Sequence, residues 1–165
     1  MAKTLENSVA GMSNASDRTM IGKLQSAVVD QLLTTGGLAI GSTSTADVKV
    51  ANTIYALVDG VLVKKTTAEV DLSGTVTNAK FNVFVITISS AGTLASLMGT
   101  EASTIGAVVF PTIPANTAVV GFVIINPTGT GNFVGNTTPL ADATVVPNAV
   151  YVNTVGTFNP NALAL

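Results

Sequence analysis

The sequence lacks cysteine, histidine and tryptophan, and only 10% of its 165 residues are charged. Without cysteine the chain has no disulfide, no thiolate nucleophile and no thiolate metal ligand. Without histidine no imidazole can activate a serine or threonine hydroxyl. Six phenylalanines and two tyrosines are a poor platform for stacking bases or sugars. We therefore do not expect an enzyme, and we expect no cofactor and no metal.

Charge is especially scarce in the second half of the chain. All seven basic residues lie within residues 1–80, whereas residues 81–165 hold only Glu101 and Asp142. A freely soluble domain usually keeps roughly 25–35% of its surface charged, and the cores of protein interfaces are depleted in charge. We interpret this half as surface covered by neighbouring subunits. The alternative is a neutral surface rich in threonine, serine and asparagine. The sequence has no basic patch, so we do not expect it to bind nucleic acid.

The most apolar window, residues 105–125, is long enough to cross a bilayer as a helix. It contains Pro111, Pro114 and Asn116, and proline removes a backbone donor and breaks helices. We therefore expect no membrane partner and no membrane span. The first 18 residues contain no apolar run of the kind that a secretory signal peptide requires, so we expect no such signal.

One stretch near the start has the periodicity of a helix. After Ser16, a good N-cap residue, apolar residues recur every four positions until Gly36 and Gly37 end the pattern. The recurring residues are Met20, Leu24, Val28 and Leu32. We predict an N-terminal arm and amphipathic helix within residues 1–35, whose apolar stripe either packs on its own domain or docks on a partner.

From residue 36 onward the apolar period becomes two, which is typical of strands. The strongest signal is Asp59-Gly60 between two apolar runs, which predicts a hairpin with a type I′ turn. Both faces of this hairpin are largely apolar, so we expect both to be covered. Short strands separated by turn residues predict a mainly β domain over residues 36–165, an antiparallel β-sandwich or barrel with an apolar C-terminal tail.

Three local features bear on chemistry. Residues 36–43, GGLAIGST, have the glycine spacing of a phosphate loop but no lysine before Ser42, and we predict a simple turn. Glu69 and Asp71 lie on one face of a strand, and we expect Lys64 and Lys65 on the adjacent strand to pair with them. Gly121, within an apolar strand, predicts a bulge or a close backbone contact.

Two segments resemble small virion structural proteins of tailed bacteriophages: LAIGSTSTADVKVANTIYALVDGVLVKKTTAEVDLSG (38–74) and AVVGFVIINPTGTGNFVGNTTPL (118–140). The first contains a strand, a DG turn and a second strand. The second contains the spaced residues Gly121, Val123, Ile125, Phe133, Gly135 or Asn136, Thr138 and Leu140. The resemblance covers about residues 36–140, and it implies that the chain is part of a phage particle.

We accordingly predict a head-decoration or cement protein, made in the host cytoplasm and located in the virion. Its expected partners are the major capsid protein or other virion subunits, and we expect a homo-oligomer. The alternative is a tail or fibre protein, either a receptor-binding or adhesion module that recognises its target through residues 127–138, or a tail-tube subunit. The candidate interface residues are Met20, Leu24, Val28, Leu32, Phe133, Leu163 and Leu165.

Overall fold

The computed structural model describes residues 30–158, and nearly all of their regular structure is β. A short 3-10 helix spans Ile105–Ala107. The strands are β1 (Gln31–Leu32), β2 (Leu38–Ile40), β3 (Val48–Val50), β4 (Ile54–Val58), β5 (Val61–Lys65), β6 (Ala68–Val70), β7 (Thr75–Val76), β8 (Asn82–Ser89), β9 (Leu94–Met98), β10 (Thr117–Ile125), β11 (Phe133–Val134) and β12 (Val150–Asn153).

Every strand pairing within residues 30–158 is antiparallel, which confirms the predicted mainly β, antiparallel class. The largest sheet has the order β12-β10-β8-β9. Two three-stranded sheets have the orders β1-β4-β5 and β2-β3-β6, and β7 pairs with β11. These are open sheets, and in the described part of the chain no barrel is closed.

The predicted hairpin is confirmed. β4 and β5 pair with Val58 opposite Val61, so Asp59 and Gly60 form a two-residue loop. Their φ angles are 50° and 73°, and positive φ at both positions is what a type I′ turn requires. The turn type is therefore set by the two residues of the loop. Its twist also matches the right-handed twist of the flanking strands, which is why this turn is common in hairpins.

The four-stranded sheet is covered on both faces. Along β8, Phe84 and Ile86 point into the main hydrophobic core, which also contains residues of β1, β3, β4 and β11. Val83 and Val85 point to the opposite face and form a second, smaller cluster. Alternating residues of a strand face opposite sides, and β8 reads as a continuous apolar run because both sides are buried.

Gly121 lies at an irregularity in β10, as predicted. The register of β10 with β8 shifts between Val119 and Gly121. Val120 faces the main core and Phe122 the second cluster, so the extra residue reverses the alternation of the strand. The carbonyls of Val119 and Val120 both accept hydrogen bonds from Thr154, at 2.9 and 3.3 Å, which satisfies backbone groups that the bulge displaces.

The helix prediction is wrong where the structure can test it. Gln31 and Leu32 are extended and pair with Leu57 and Ala56 of β4, and Leu32 is fully buried in the main core. Burial and strand pairing override the helical spacing here, because periodicity alone is a weak predictor against tertiary contacts. The β domain therefore begins before Gly36. The rest of the predicted helix lies outside the described residues.

Among residues 30–158, no helix has the length and apolar character needed to cross a membrane.

Candidate protein-interaction site

Two of the predicted interface residues lie inside the protein. Leu32 and Phe133 are both fully buried, and the ring of Phe133 meets that of Phe84 edge-on, with centroids 5.9 Å apart. Neither side chain can contact a partner, so their assignment to an interface is wrong. The other candidates, Met20, Leu24, Val28, Leu163 and Leu165, lie outside the described residues.

The sheet β1-β4-β5 leaves one apolar face open. Ile54, Ala56 and Val58 point into the core. The opposite side of the sheet, here called the hairpin face, consists of Gln31, Leu33, Tyr55, Leu57, Leu62 and Lys64. Leu33, Tyr55 and Leu62 are exposed and Leu57 is half-buried. Within the described residues the chain itself therefore covers only one of the two hairpin faces.

The register of the strands brings the hairpin face together. Leu57 lies opposite both Gln31 of β1 and Leu62 of β5, and Tyr55 lies opposite Lys64. The Lys64 Nζ lies 5.9 Å from the centroid of the Tyr55 ring, within the range of a cation–π contact. Monomeric proteins seldom leave contiguous apolar surface open unless it binds something. This face is therefore the first candidate for protein contact.

A second apolar surface lies on the side of the four-stranded sheet that is turned away from the main core. Here Phe122 of β10 stacks on Phe158, with centroids 5.6 Å apart and planes 28° apart. Phe110, from the segment between the 3-10 helix and β10, meets Phe122 edge-on at 5.2 Å. These three residues, here called the aromatic layer, are far apart in sequence. The sequence does not predict this cluster. Only the alternation of inward and outward side chains along β10 could indicate where Phe122 points, and the bulge at Gly121 reverses that alternation.

An apolar pocket of about 190 Å³ adjoins the aromatic layer. Phe110 and Phe122 form part of its wall, together with Ile105, Val108, Ile124 and Val152. Asn82 also borders the pocket, and its amide is hydrogen-bonded: Nδ2 donates to the Gly99 carbonyl at 3.1 Å and Oδ1 accepts from the Val83 amide at 2.8 Å. The described residues that line the pocket are therefore apolar except for Asn82.

The turn after β2 binds a carboxylate of its own chain. The backbone amides of Ser42, Thr43 and Ser44 donate to the Glu69 carboxylate at 2.6 to 3.2 Å. Lys49 Nζ donates to the Ser42 hydroxyl at 2.6 Å. The expected pairing of Glu69 with the lysines of β5 is wrong, because β6 pairs with β3. Glu69 sits opposite Lys49 in that register.

This arrangement has consequences for the charge of the loop. The hydrogen bond from the Thr43 amide, followed by those from Ser42 and Ser44, holds the pKa of Glu69 below its usual value, because the donors favour the charged form. Asp47, at the end of the same turn, is buried, and burial raises its pKa. A carboxylate held by three amides is a fixed loop clasp, and not a free acid or base.

No group of three or more acidic side chains in residues 30–158 could hold a metal ion.

The clasp predicts a pH-dependent contribution to stability. Because the pKa of Glu69 is lowered by folding, its contribution is present above the unfolded value, near 4.5, and is lost as pH falls through the folded pKa. We expect Glu69→Gln to lower the melting temperature at pH 7, and we expect the difference from wild type to shrink below about pH 4.5. Thermal unfolding followed by circular dichroism between pH 3 and 8 measures this.

Asp71→Asn is the matched control, since Asp71 lies two residues along and is exposed. A Glu69→Gln difference that stayed constant from pH 8 to pH 3 would mean that the loss was one of packing and not of a charged clasp.

The two acidic residues of the second half are also engaged locally. The Glu101 carboxylate accepts from the backbone amide and the hydroxyl of Thr77, each at 2.8 Å. Asp142 accepts from the hydroxyl and the amide of Thr144, at 2.6 and 2.8 Å. These bonds lower the pKa of both carboxyl groups. Both carboxylates therefore accept hydrogen bonds from loops of their own chain. They add little free charge to the surface of this half.

Comparisons with protein families, with curated proteins and with solved structures find no match to this chain.

Proposed function

We propose that this chain is a structural protein of a tailed-phage particle, most specifically a head-decoration or cement protein that binds and stabilises the capsid lattice. The observation that carries the proposal is the open, largely apolar hairpin face in a chain whose second half is nearly free of charge. Apolar surface of this kind is stabilised by burial against another protein, at about 25 cal/mol per Å². The resemblance of residues 36–140 to phage virion proteins supports the same kind of partner.

The proposed mechanism is mechanical. Copies of the chain, as a homo-oligomer, lay the hairpin face across joints between capsid subunits. A standard interface buries about 1,600 Å², and repetition over a lattice adds stability through multivalency without requiring any single tight contact. In this arrangement Leu62 and Tyr55 supply apolar contact, and Lys64 supplies a charge at the edge of the surface.

We also propose that the open sheets stack as a β-sandwich, with β1-β4-β5 and β2-β3-β6 on one side and β12-β10-β8-β9 on the other. The support is the shared main core, in which Val48, Ile54 and Phe84 belong to one cluster. A sandwich would present the hairpin face and the aromatic layer on opposite outer surfaces, which suits a subunit that contacts two neighbours.

The direct test is binding of the purified chain to undecorated phage capsids, measured by size-exclusion chromatography with light scattering and by the melting temperature of the capsid. We expect the wild-type chain to co-elute with capsids and to raise their melting temperature. Leu62→Asp is expected to weaken binding by at least about tenfold, because a charge would be buried in the apolar part of the interface.

Val61→Asp is the matched control. Val61 adjoins Leu62 in β5 and is also exposed, 49% against 63%, but its side chain points to the other side of the sheet. It should bind capsids as wild type does. Equal binding by both variants would remove the hairpin face from the interface. Failure of the wild type to bind heads, with self-assembly into tubes or binding to host cells, would move the assignment to the tail.

A further inference from the structure

Two carboxylates bear on the loop that joins β2 to β3: Glu69, which clasps it, and Asp47, which ends it. We propose that Asp47 is a proton-binding site of the folded protein and that residues 41–47, here called the clasped loop, act as a pH-operated latch. A proton on Asp47 tightens the loop, whereas a proton on Glu69 releases it. The proposal concerns the response of the molecule to acid, and it stands whether or not the chain binds capsids.

The clasped loop is closed by its own backbone. The Gly41 amide donates to the Asp47 carbonyl at 2.8 Å, and the Asp47 amide donates to the Ser44 carbonyl at 3.2 Å. Asp47 is 7% exposed. Because both of its backbone groups are bonded within the loop, its carboxylate gains full contact with water only when the loop opens.

Ionisation of Asp47 is costly in this position. Its Oδ1 atom is buried, and no group of residues 30–158 makes a hydrogen bond to it. A buried charge without enough partners shifts its pKa until it is neutralised. Burial raises the pKa of Asp47 above its ordinary value of 3.8 and outweighs a hydrogen bond from the Ser44 side chain, which favours the charged form.

The charged side chains near Asp47 select a proton as the ligand. Asp71 and Glu69 both repel the Asp47 charge. Lys49 of β3, the cation beside them, donates from its Nζ to the Ser42 hydroxyl at 2.6 Å. Both oxygens of Glu69 already accept from backbone amides, so Glu69 has little capacity left for a metal ion. A proton on Asp47 needs no further ligand, and it removes the repulsion from both acids at once.

The two carboxylates respond to acid with opposite signs. The pKa of Asp47 is raised by folding, so its ionised form lowers stability at neutral pH, and this cost disappears as pH falls through the folded pKa. The pKa of Glu69 is lowered by folding, so its contribution is lost as pH falls through its own folded pKa. The latch therefore requires that Asp47 binds its proton at a higher pH than Glu69 does, which reverses the ordinary order of aspartate and glutamate.

The clasped loop also holds a segment that is distant in sequence. The Thr45 carbonyl accepts a hydrogen bond from the Leu140 amide at 2.8 Å, and Leu140 lies in the main core, 3% exposed. Thr45 lies between Asp47 and Ser44, whose amide donates to Glu69. Opening of the loop therefore breaks the Leu140 bond, and hydrogen exchange at the Leu140 amide reports the state of the latch.

The first test is a titration of the full-length chain from pH 8 to pH 3, followed by carbon-13 nuclear magnetic resonance of its carboxyl groups. We expect the Asp47 carboxyl to titrate at a higher pH than Glu69, and also at a higher pH than Asp142, whose pKa is lowered by its bonds to Thr144. A titration of Asp47 at or below the pH of the Glu69 titration would overturn the proposal. This measurement needs no variant, so it decides the proposal even where a substitution prevents folding.

The second test is the protection factor of the Leu140 amide, the ratio of its intrinsic to its observed exchange rate. In the wild type we expect this factor to rise from pH 7 into mild acid, by up to about tenfold for each unit by which the pKa of Asp47 is raised. It should then fall once Glu69 is protonated. Asp47→Asn cannot take up the proton and should lose the rise, whereas Glu69→Gln should keep the rise and reduce the fall.

Glu101→Gln is the control for both variants, because Glu101 bonds to Thr77, outside the clasped loop. It should keep the rise in protection between pH 7 and mild acid. The same rise in Asp47→Asn as in the wild type would overturn the proposal, since the proton would then be bound elsewhere.

Discussion

Replacing Phe133 by alanine is expected to lower the free energy of unfolding by about 3–5 kcal/mol, the usual cost of truncating a buried phenylalanine. Phe133 is fully buried and lies in the main core. Its edge-on contact with Phe84 contributes about 0.5–1.5 kcal/mol beyond the apolar area that it buries. β11 has only two residues, which pair with β7, and the Phe133 ring is one of the buried side chains, with Leu140 and Val146, that attach the segment between β10 and β12 to the core.

Urea unfolding followed by circular dichroism measures the effect, provided that the slope with denaturant is unchanged. Val134→Ala is the control, because Val134 is next in the strand, exposed, and on the other side. It should stay within about 0.5 kcal/mol of wild type. A loss of less than about 1 kcal/mol for Phe133→Ala would show that the ring is not buried, and would return Phe133 to the candidates for an interface.

Replacing Gly121 by alanine is expected to cost about 1–3 kcal/mol, the usual penalty of forcing atoms into a packed site. A Cβ at this position would lie 2.4 Å from the Val152 carbonyl oxygen and 2.7 Å from Leu38 Cδ1. The first of these atoms belongs to backbone and cannot move aside without shifting β12 away from β10. Because Phe122 pairs with Val152, the substitution should also disturb the aromatic layer.

The control for this variant is Gly106→Ala. A Cβ on Gly106 would meet no atom within 4 Å, so this substitution should leave stability unchanged or raise it slightly by restricting the unfolded chain. Equilibrium unfolding gives the free energies, and the methyl resonances of Val152 report the position of β12. If Gly121→Ala were as stable as Gly106→Ala, the close approach of β10 and β12 at the bulge would be wrong.

Features with local physical causes were predictable from the sequence. The hairpin β4–β5 follows from Asp59 and Gly60, because the type I′ turn depends on the φ preferences of two adjacent residues. Pro111 and Pro114 confine their segment to a loop or a sheet edge, and neither proline lies in a strand. Gly121 predicts a bulge or a close contact, because glycine in the interior of an apolar strand weakens the strand and often marks a site where another backbone approaches closely.

The candidate site was much less predictable. The four-residue spacing of Leu32 with Met20, Leu24 and Val28 is typical of a helix, and yet Leu32 pairs in a strand. The spacing shows only which residues are apolar, and it does not show which distant residues cover them. Phe133 sits among turn residues, where nothing local indicates a core position. The sequence favours an ion pair between Glu69 and the lysines of the preceding strand, whereas the donors to its carboxylate are amides of a turn 25 to 27 residues earlier.

The sequence by itself determined the class of fold, the hairpin and the shortage of charge in the second half, since these depend on composition and on neighbouring residues. The tertiary structure decided which apolar residues are core and which form the hairpin face, where the aromatic layer and its pocket lie, and which groups hold Glu69. The physical reason is that hydrophobic burial is not directional. A pattern shows that a side chain prefers to leave water, and only the pairing of distant strands selects what covers it.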